Sequence, residues 1–486
     1  MVKEQKAGKA RVQITLGLVT ALGLAGCSST VTPPTDELIR EALPEQTFLP
    51  SSFGAGAGTP QGPVDDNWIK SFNDPGLEAV VNEAFENNLT LRVALANIDI
   101  AAGFATQAGA AMKPAITVSG QGLKNNKFSA SAPELTSSGI GIAASWEIDL
   151  WGRVRAAAEE GNFYYEATYY EVSYFRQSLA AQTAKIWFLA AGLKLQREYL
   201  ESVVTLLEDL VGLVEIKRTQ GQVTNREVSL VRADLASAQD LLSQVEVAYT
   251  RAVRGLEVLL GRYPAAALET ASGLVAMPPP IPVGLPSELL ERRPDVISAE
   301  RRVAAAIQGE AAAKAARLPR ISLTAGTGTS SMTLGSFINS AGGYWTIGAN
   351  FLAPIYQGGA LRAQVDIAGG QLDAALGSYG LTALNAFSEI ENSLTNEASL
   401  EEREGFLRSA VADNKEAYRI SEAEFNIGRI DLLSLLQMQN RVIIAQVALL
   451  NVQSARLSQR VDLHLALGGS FEPMGSVAQD PSSLTN

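Results

Sequence analysis

The chain has 486 residues, a formal net charge of −12, one cysteine and one histidine. Its acidic balance argues against nucleic acid as a partner, since phosphate binding depends on clustered Lys and Arg. A lone cysteine forms no internal disulfide, and a His/Cys metal site or a Ser/His/Asp triad has too few parts, so neither a metal, another cofactor nor an enzyme is expected.

Lys3, Lys6, Lys9 and Arg11 make a basic start, and Val12 to Leu24 is an apolar run too short to span a bilayer, which together read as a secretory signal. Leu24-Ala25-Gly26-Cys27 resembles the cleavage box of bacterial lipoproteins. That resemblance implies that residues 1–26 are removed and that Cys27 becomes an N-terminus carrying diacylglycerol and N-acyl chains. An ordinary signal peptide with a chance cysteine is the alternative. Loss of residues 1–26 takes the formal charge to −15. Residues 27–67 read as a linker, and no later apolar segment is expected to reach the length of a membrane-spanning helix.

From residue 68 the chain says everything twice. "KPAITVSG" (Lys113 to Gly120) matches "LPRISLTA" (Leu318 to Ala325), and "SWEIDLW" (Ser145 to Trp151) falls on "NFLAPIY" (Asn350 to Tyr356) at the same offset. Gly221 to Gly261 then runs without a gap against Gly428 to Gly468. Two copies, 68–271 and 272–470, followed by a flexible tail at 471–486, are too few for a solenoid.

Each copy predicts one plan: a helix of roughly 25 residues, a strand, a polar loop, a second strand, one very long helix, a Gly turn and a returning helix. The long helices run from about Arg153 to Thr219 and from about Gly358 to Asn426. Each is on the order of 100 Å at 1.5 Å per residue, with Gly369, Gly370 and Gly380 expected to weaken the second. Leu200, Val203, Leu207, Leu210 and Val214 alternate three and four apart, as do Val228, Val231, Leu235, Ala238, Leu242 and Val245, and Leu435, Met438, Val442, Ala445, Leu449 and Val452. A spacing averaging 3.5 makes a narrow pairing seam, and helices this long bury it against equally long neighbours. His464 lies inside the last helical pattern and reads as structural.

The strands alternate with period two. Ile140, Ile142, Ala144, Trp146 and Ile148 share one face, alternating with Gly139, Gly141, Ala143, Ser145 and Glu147, and Trp345, Ile347, Ala349, Phe351 and Ala353 share another, alternating with Thr346, Gly348, Asn350 and, as an exception, Leu352. Small residues in crowded strands account for the pairs Gly120/Gly122, Gly139/Gly141 and Gly326/Gly328 better than phosphate loops do. One apolar face with Trp151 and Tyr356 at the ends fits outer-membrane barrel strands and also a half-buried soluble sheet. Four strands cannot close a barrel, and an open sheet in lipid leaves edge groups unpaired, so strands that enter a membrane require an oligomer. Two copies would give eight strands and three would give twelve; spacing does not choose.

Trp68, Phe72, Asp74-Pro75, Leu77, Asn87-Asn88, "SWEIDLWGR", "LPSELLERRPDVISAERRVAAA" (Leu285 to Ala306), "LPRISLTAG", "APIYQGGALR" (Ala353 to Arg362) and "LALGG" (Leu465 to Gly469) together resemble the TolC-like outer-membrane efflux channels. The likeness is greatest to the OprM- and NodT-like lipoprotein branch, which works with resistance-nodulation-division pumps. It implies a homotrimer in the outer membrane, with four strands per protomer in a 12-stranded barrel that continues into a coiled-coil periplasmic tunnel. The loops Lys124 to Ser137 and Ser330 to Gly343 would face outside. Asp74 to Asn88 and the Pro-rich Met277 to Leu290 would form a belt, and the turns at Gly221 and Gly428 would meet a periplasmic adaptor protein docked on an inner-membrane pump.

The channel so implied does no chemistry; it is a passive path for drugs and toxic organics, gated by rearrangement of the tip helices. In the family, acidic residues near the start of the returning helices narrow the closed tip. Glu227 stands at such a place, whereas Ser434 and Gln437 occupy positions where Asp is usual, and Asp431 and Asp234 lie one turn nearer the tip and deeper, respectively. Glu227 and Asp431 are the first candidates for pore-mouth carboxylates, with Arg218, Arg226 and Arg429 as closed-state partners; solvated helix-face charge is the alternative. Two rival readings remain at this point, a periplasmic coiled-coil scaffold lipoprotein without a pore and an exit duct for metal ions or secreted proteins.

Overall fold

A computed structural model describes residues 35–44, 47, 52–56, 67–125, 135–282, 290–331 and 343–469. The signal segment with Cys27, the centres of both strand-to-strand loops, residues 283–289, much of the 27–67 segment and the 471–486 tail lie outside the described residues. The first copy contains α2 (Pro75–Asn87), α3 (Leu89–Ala110), β1 (Ala115–Asn125), β2 (Leu135–Ile148), α4 (Arg153–Thr219) and α5 (Asn225–Leu259), after a short α1 (Thr35–Ala42). The second contains α6 (Pro294–Ala315), β3 (Arg320–Ser331), β4 (Gly343–Leu352), α7 (Ala360–Asn426) and α8 (Leu432–Ala466). The repeated plan is therefore present in full.

α4 and α7 have 67 residues each, about 100 Å of helix. They are the staves that run the whole length. Next to the sheet the helices lie side by side in the order α3-α4-α6-α7, and toward the turns the order is α5-α4-α8-α7. α4 starts where it does because the Asp149 carboxylate accepts the Val154 and Arg155 N–H groups at 2.9 Å each, satisfying two donors that a helix start leaves free. Glu147 grips Arg153 through two bonds of 3.1 and 2.9 Å, and the Trp146 and Trp151 indoles donate to the Met112 and Pro319 carbonyls. "SWEIDLWGR" is thus a strand-to-helix clamp.

The hairpin seams match the 3.5-residue spacing: Leu200 is buried, and Val203, Leu207 and Val214 are buried in one cluster with Val228, Val231 and Ala238. α8 departs from it. Leu432, Leu435, Leu436, Gln439, Ala445, Leu449, Leu450 and Val452 are all buried, a stripe widened because α8 packs on both α7 and α4.

A belt encloses the middle. Asp74 caps α2 through the Gly76 and Leu77 N–H groups and accepts the Trp187 indole N–H at 2.8 Å, while Asn88 caps α3 and donates to Leu259 O. Trp68 stacks on His464 with ring centroids 5.3 Å apart. Burial, followed by the nearby Arg460 charge, pushes the His464 imidazole down to about 3, which keeps it neutral and structural. In the "ERRPDV" block, Arg293 is 1% exposed and binds Asp295, Glu389 and the Ala466 carbonyl, tying α6, α7 and α8 together.

Three expectations need correction and one an addition. Part of the 27–67 linker is packed structure: Leu38, Ile39 and Phe53 are buried against α7, and the Gly54 and Ala55 N–H groups donate to Glu391 at 2.7 and 2.8 Å. Gly369, Gly370 and Gly380, expected to weaken α7, all lie within its 67 residues, and Gly380 has a further role: a Cβ there would meet Ala42 O at 2.6 Å, so glycine lets α1 approach. Of the strand glycines read as crowded, Gly122 has open space where a Cβ would be, and a Cβ at Gly120 would meet only Gly139 O, at 4.0 Å. Finally, α3 and α8 are long and apolar enough to cross a membrane by length and composition, with 11% and 33% of their most apolar windows buried. Helices that act as staves carry apolar residues on more than one face, which raises their mean hydropathy without a membrane.

Candidate functional site

The sheet is open, in the order β1-β2-β3-β4 with every pair antiparallel. Residues directly opposite in a ladder share a face. One face therefore carries the rows Ile116–Ala144–Ala325–Ile347 and Val118–Ile142–Thr327–Trp345. The other carries Thr117–Ala143–Gly326–Thr346 and Ser119–Gly141–Gly328–Tyr344. The apolar rows are bare: Ile116, Val118, Trp345 and Ile347 are 68–79% exposed. On the small-residue face the Tyr344 hydroxyl lies over the Gly141–Gly328 pair, where added Cβ atoms would sit 3.3 and 3.1 Å from it. Neither outer edge, on β1 or on β4, pairs with another strand among the described residues.

At the other end of the staves, α4 and α7 stop in matching turns. Gly221 and Gly428 take φ of 75° and 76°, a left-handed conformation that glycine adopts without a Cβ penalty. Their N–H groups donate to Arg218 O and Phe425 O, and the next N–H groups, of Gln222 and Arg429, reach back to Lys217 O and Glu424 O. Both glycines have open space around them, so both turns face outward.

The returning helices begin with different caps. In α5, Thr224 is the N-cap; Glu227 accepts the Thr224 N–H at 2.9 Å and also its hydroxyl, a capping box. Those bonds, the Thr224 hydroxyl first, hold the Glu227 carboxyl below its ordinary range. In α8 the cap is Asp431, accepting the Ser434 N–H at 2.9 Å and hydroxyl at 2.6 Å. Those two bonds, with the field of Arg226, hold Asp431 low as well.

Of the three arginines, Arg226 is the one whose charge acts on both caps. It lies 3.3 Å from Glu227 and within the field of Asp431. Arg218 instead bonds Asn225 at 3.4 Å, and Arg429 pairs with Glu424 at 3.7 Å. Asp234 sits deeper, and partial burial raises its carboxyl. Gln437 is exposed on α8. Beneath the turns Val214, Val228, Leu432 and Leu436 form one cluster, and Lys217 Nζ stands 5.0 Å over the Phe425 ring, so the two hairpins share a packed tip.

The Thr224-x-x-Glu227 box is readable in the sequence as a helix start, a role that its reading as a pore carboxylate leaves out. Two other features escape the sequence. Arg232 pairs with Glu215, whereas the matching position of the second copy, Gln439, is buried with neither amide atom bonded. Among the described residues no cluster of His, Cys, Asp or Glu could hold a metal ion.

The family model for outer membrane efflux proteins matches this chain twice, over residues 80–262 and 285–469. The toluene efflux pump outer membrane protein TtgC of Pseudomonas putida is 30% identical over 479 residues, covering 96% of this chain and 98% of that one. The pyoverdine export outer membrane protein OpmQ of Pseudomonas putida is 29% identical over 469 residues, covering 94% and 97%. Among solved structures, the outer-membrane channel OprN superposes with a TM-score of 0.80 at 26% identity, over 91% of this chain and 99% of that one.

Proposed function

This chain belongs to the outer membrane efflux protein family, and we propose that it works as a homotrimer whose strands close into one 12-stranded barrel above a tunnel of helices. It is an outer-membrane channel component of an efflux system, with its helical portion in the periplasm. The trimer rests on one observation above all: a four-stranded sheet with a bare apolar face and two unpaired edges. In lipid each unpaired edge group costs several kcal/mol. A second and a third copy that add β4 to β1 around a ring remove every edge and put the rows with Ile116, Val118, Trp345 and Ile347 against lipid.

The channel transports and does not react. Its tip, at Gly221 and Gly428, docks a periplasmic adaptor that connects to a resistance-nodulation-division pump. Adaptor contacts shift the tip helices between closed and open packings. In the closed packing Arg226 bridges Glu227 and Asp431, which also cap their helices. Acyl chains on Cys27 tether the mature start to the inner leaflet. The cargo is small organic molecules; relatives of nearly equal similarity are named for toluene and for pyoverdine, so the family duct is permissive and cargo choice belongs to the pump. Purified protein tests the reading: it predicts a heat-modifiable trimer that conducts ions in a planar bilayer. A monomer released from cells without detergent would overturn it.

A further inference from the structure

Halfway down the helices α8 shows two faces between its neighbours α4 and α7. The first is covered by the belt: Leu457 and Val461 pack in the cluster around Trp68, and His464 stacks on Trp68. The second, carrying Asn451, Ser458 and Asp462, is turned away from the belt and opens into a trough of about 470 Å³ between α4 and α7. On the channel reading the belt surrounds the tunnel, which puts the trough, on the opposite side of α8, on the inner wall. All three staves come from one copy, so the trough is complete without a neighbour.

Its chemistry is mixed. Leu189 from α4, 46% exposed, gives an apolar patch, while Asn396 of α7 and Asn451 and Ser458 of α8 give amide and hydroxyl groups. Lys185 and Asp462 lie 2.8 Å apart and cancel. Arg403 is different. It lines the trough and is exposed, and no hydrogen bond or ion pair holds its side chain among the described residues, since Glu401 and Glu404 are drawn to Arg456. One unpaired cation thus lines the trough of a chain whose formal net charge is −12, or −15 without residues 1–26.

We propose that this trough is a transit subsite for amphipathic organic anions, with Arg403 receiving the carboxylate and Leu189 the apolar body. An acidic tube repels anions along its length, and a fixed guanidinium midway lowers that barrier and offers a planar fork that matches a carboxylate. Three copies place three such sites at one height. The subsite would make passage of organic acids less unfavourable without closing the route to cations. The inference rests on the channel reading for its access to the lumen.

The test uses full-length mature trimer in non-ionic detergent, made from a Cys27→Ala chain behind an ordinary signal peptide. Ser458→Cys then provides a unique site for a bimane fluorophore. The probes are 6-bromo-2-naphthoate and the corresponding bromonaphthyl trimethylammonium ion, heavy-atom quenchers of like size and opposite charge. Naphthoate is expected to quench saturably at a concentration at least tenfold lower than the ammonium ion. Arg403→Ala should abolish that preference, and Arg403→Lys should keep most of it. Equal quenching by both probes, a preference that survives Arg403→Ala, or no quenching by either would overturn the subsite. A trimer that conducts but shows no preference sinks the subsite alone, whereas a non-conducting monomer sinks the channel reading beneath it.

Discussion

Replacing Arg293 by Ala should loosen the belt without abolishing insertion. The side chain is 2% exposed; Nε and Nη2 bind Asp295 at 3.0 and 2.7 Å, and Nη1 binds Glu389 at 2.7 Å and Ala466 O at 3.2 Å. Removing one member of a buried ion pair costs about 3–5 kcal/mol, chiefly because the remaining charge stays buried without a partner. Glu389 is 50% exposed and recovers water, so the expected loss is about 2–4 kcal/mol. At about 1.4 kcal/mol per factor of ten, the joint of α6, α7 and α8 should open roughly 30- to 1,000-fold more often. Amide hydrogen exchange of detergent-solubilised trimer reads this at the Ile297 N–H, bonded to Arg293 O, and at the Leu467 N–H, bonded to Leu463 O. Arg293→Lys should recover only part of the protection, because an ammonium cannot grip Asp295 through two parallel bonds. Arg293→Met combined with Asp295→Leu and Glu389→Leu should recover most of it, because no charge is left stranded. Unchanged protection in Arg293→Ala, or a triple variant as loose as the single one, would refute the reasoning.

Lysine should separate the two faces of the sheet: Ile347→Lys puts a charge toward lipid at about 2–4 kcal/mol and should cut the yield of inserted trimer, while Thr346→Lys on the opposite face should leave yield unchanged and shift ion selectivity toward anions. Gln439→Leu should raise thermal stability by about 1–3 kcal/mol, since neither amide atom has a partner; no gain would show that a neighbouring copy or water bonds the amide. Burial alone pushes the Glu404 carboxyl up, but Arg456, Arg408 and Gln453 outweigh it and hold it below the ordinary range. Its stabilising effect is therefore full above the unfolded carboxyl pKa of about 4.3 and lost as pH falls through the lower folded value, so a Glu404→Gln variant should lose its stability deficit in acid melts below about pH 4. Arg226→Ala should raise the open fraction in bilayer recordings at low salt, with a smaller difference at about 1 M salt, where the Debye length is about 3 Å.

Periodicity made most of the fold legible. Arg153–Thr219 was readable to the residue because Gly152 and Gly221 bracket an unbroken helical pattern, and both are left-handed in the structure. The strand faces were readable because a period of two cannot slip by one residue without inverting the whole face. What stayed hidden depends on neighbours distant in sequence. Gly380 reads only as a weak point in a helix until Ala42, from a segment that looks like a linker, is found against it. Arg293 reads as one charge among several in "ERRPDV" until Glu389 and Ala466 converge on it. At the tip, Glu227 and Asp431 were readable as acids at helix starts, yet a sequence does not say which cation turns toward them. Arg218, Arg226 and Arg429 look equivalent there, and Arg226 is the one that pairs with Glu227 and whose charge lowers Asp431.

The duplication shows where the two copies stopped being interchangeable. Both keep the glycine turn, with φ of 75° and 76°, and both keep a 67-residue stave, because length and reversal are properties of a tube that every stave must share. They differ in the seams. Val253 is fully buried in α5 where α8 has Arg460, which pairs with Glu397 and donates to the Pro278 carbonyl. Arg232 is ion-paired where α8 has the unbonded Gln439. α8 thus has its charged anchor at the belt and an unsatisfied amide near the tip, and α5 has the reverse: apolar burial at the belt and an ion pair near the tip. If seam chemistry decides local cohesion, the two hairpins should fray at different heights. Exchanging the residues, Arg232→Gln together with Gln439→Arg, should move the less protected stretch from α8 to α5 in hydrogen exchange. Protection that stays put after the exchange would mean that contacts between copies, and not the seams, set which hairpin holds.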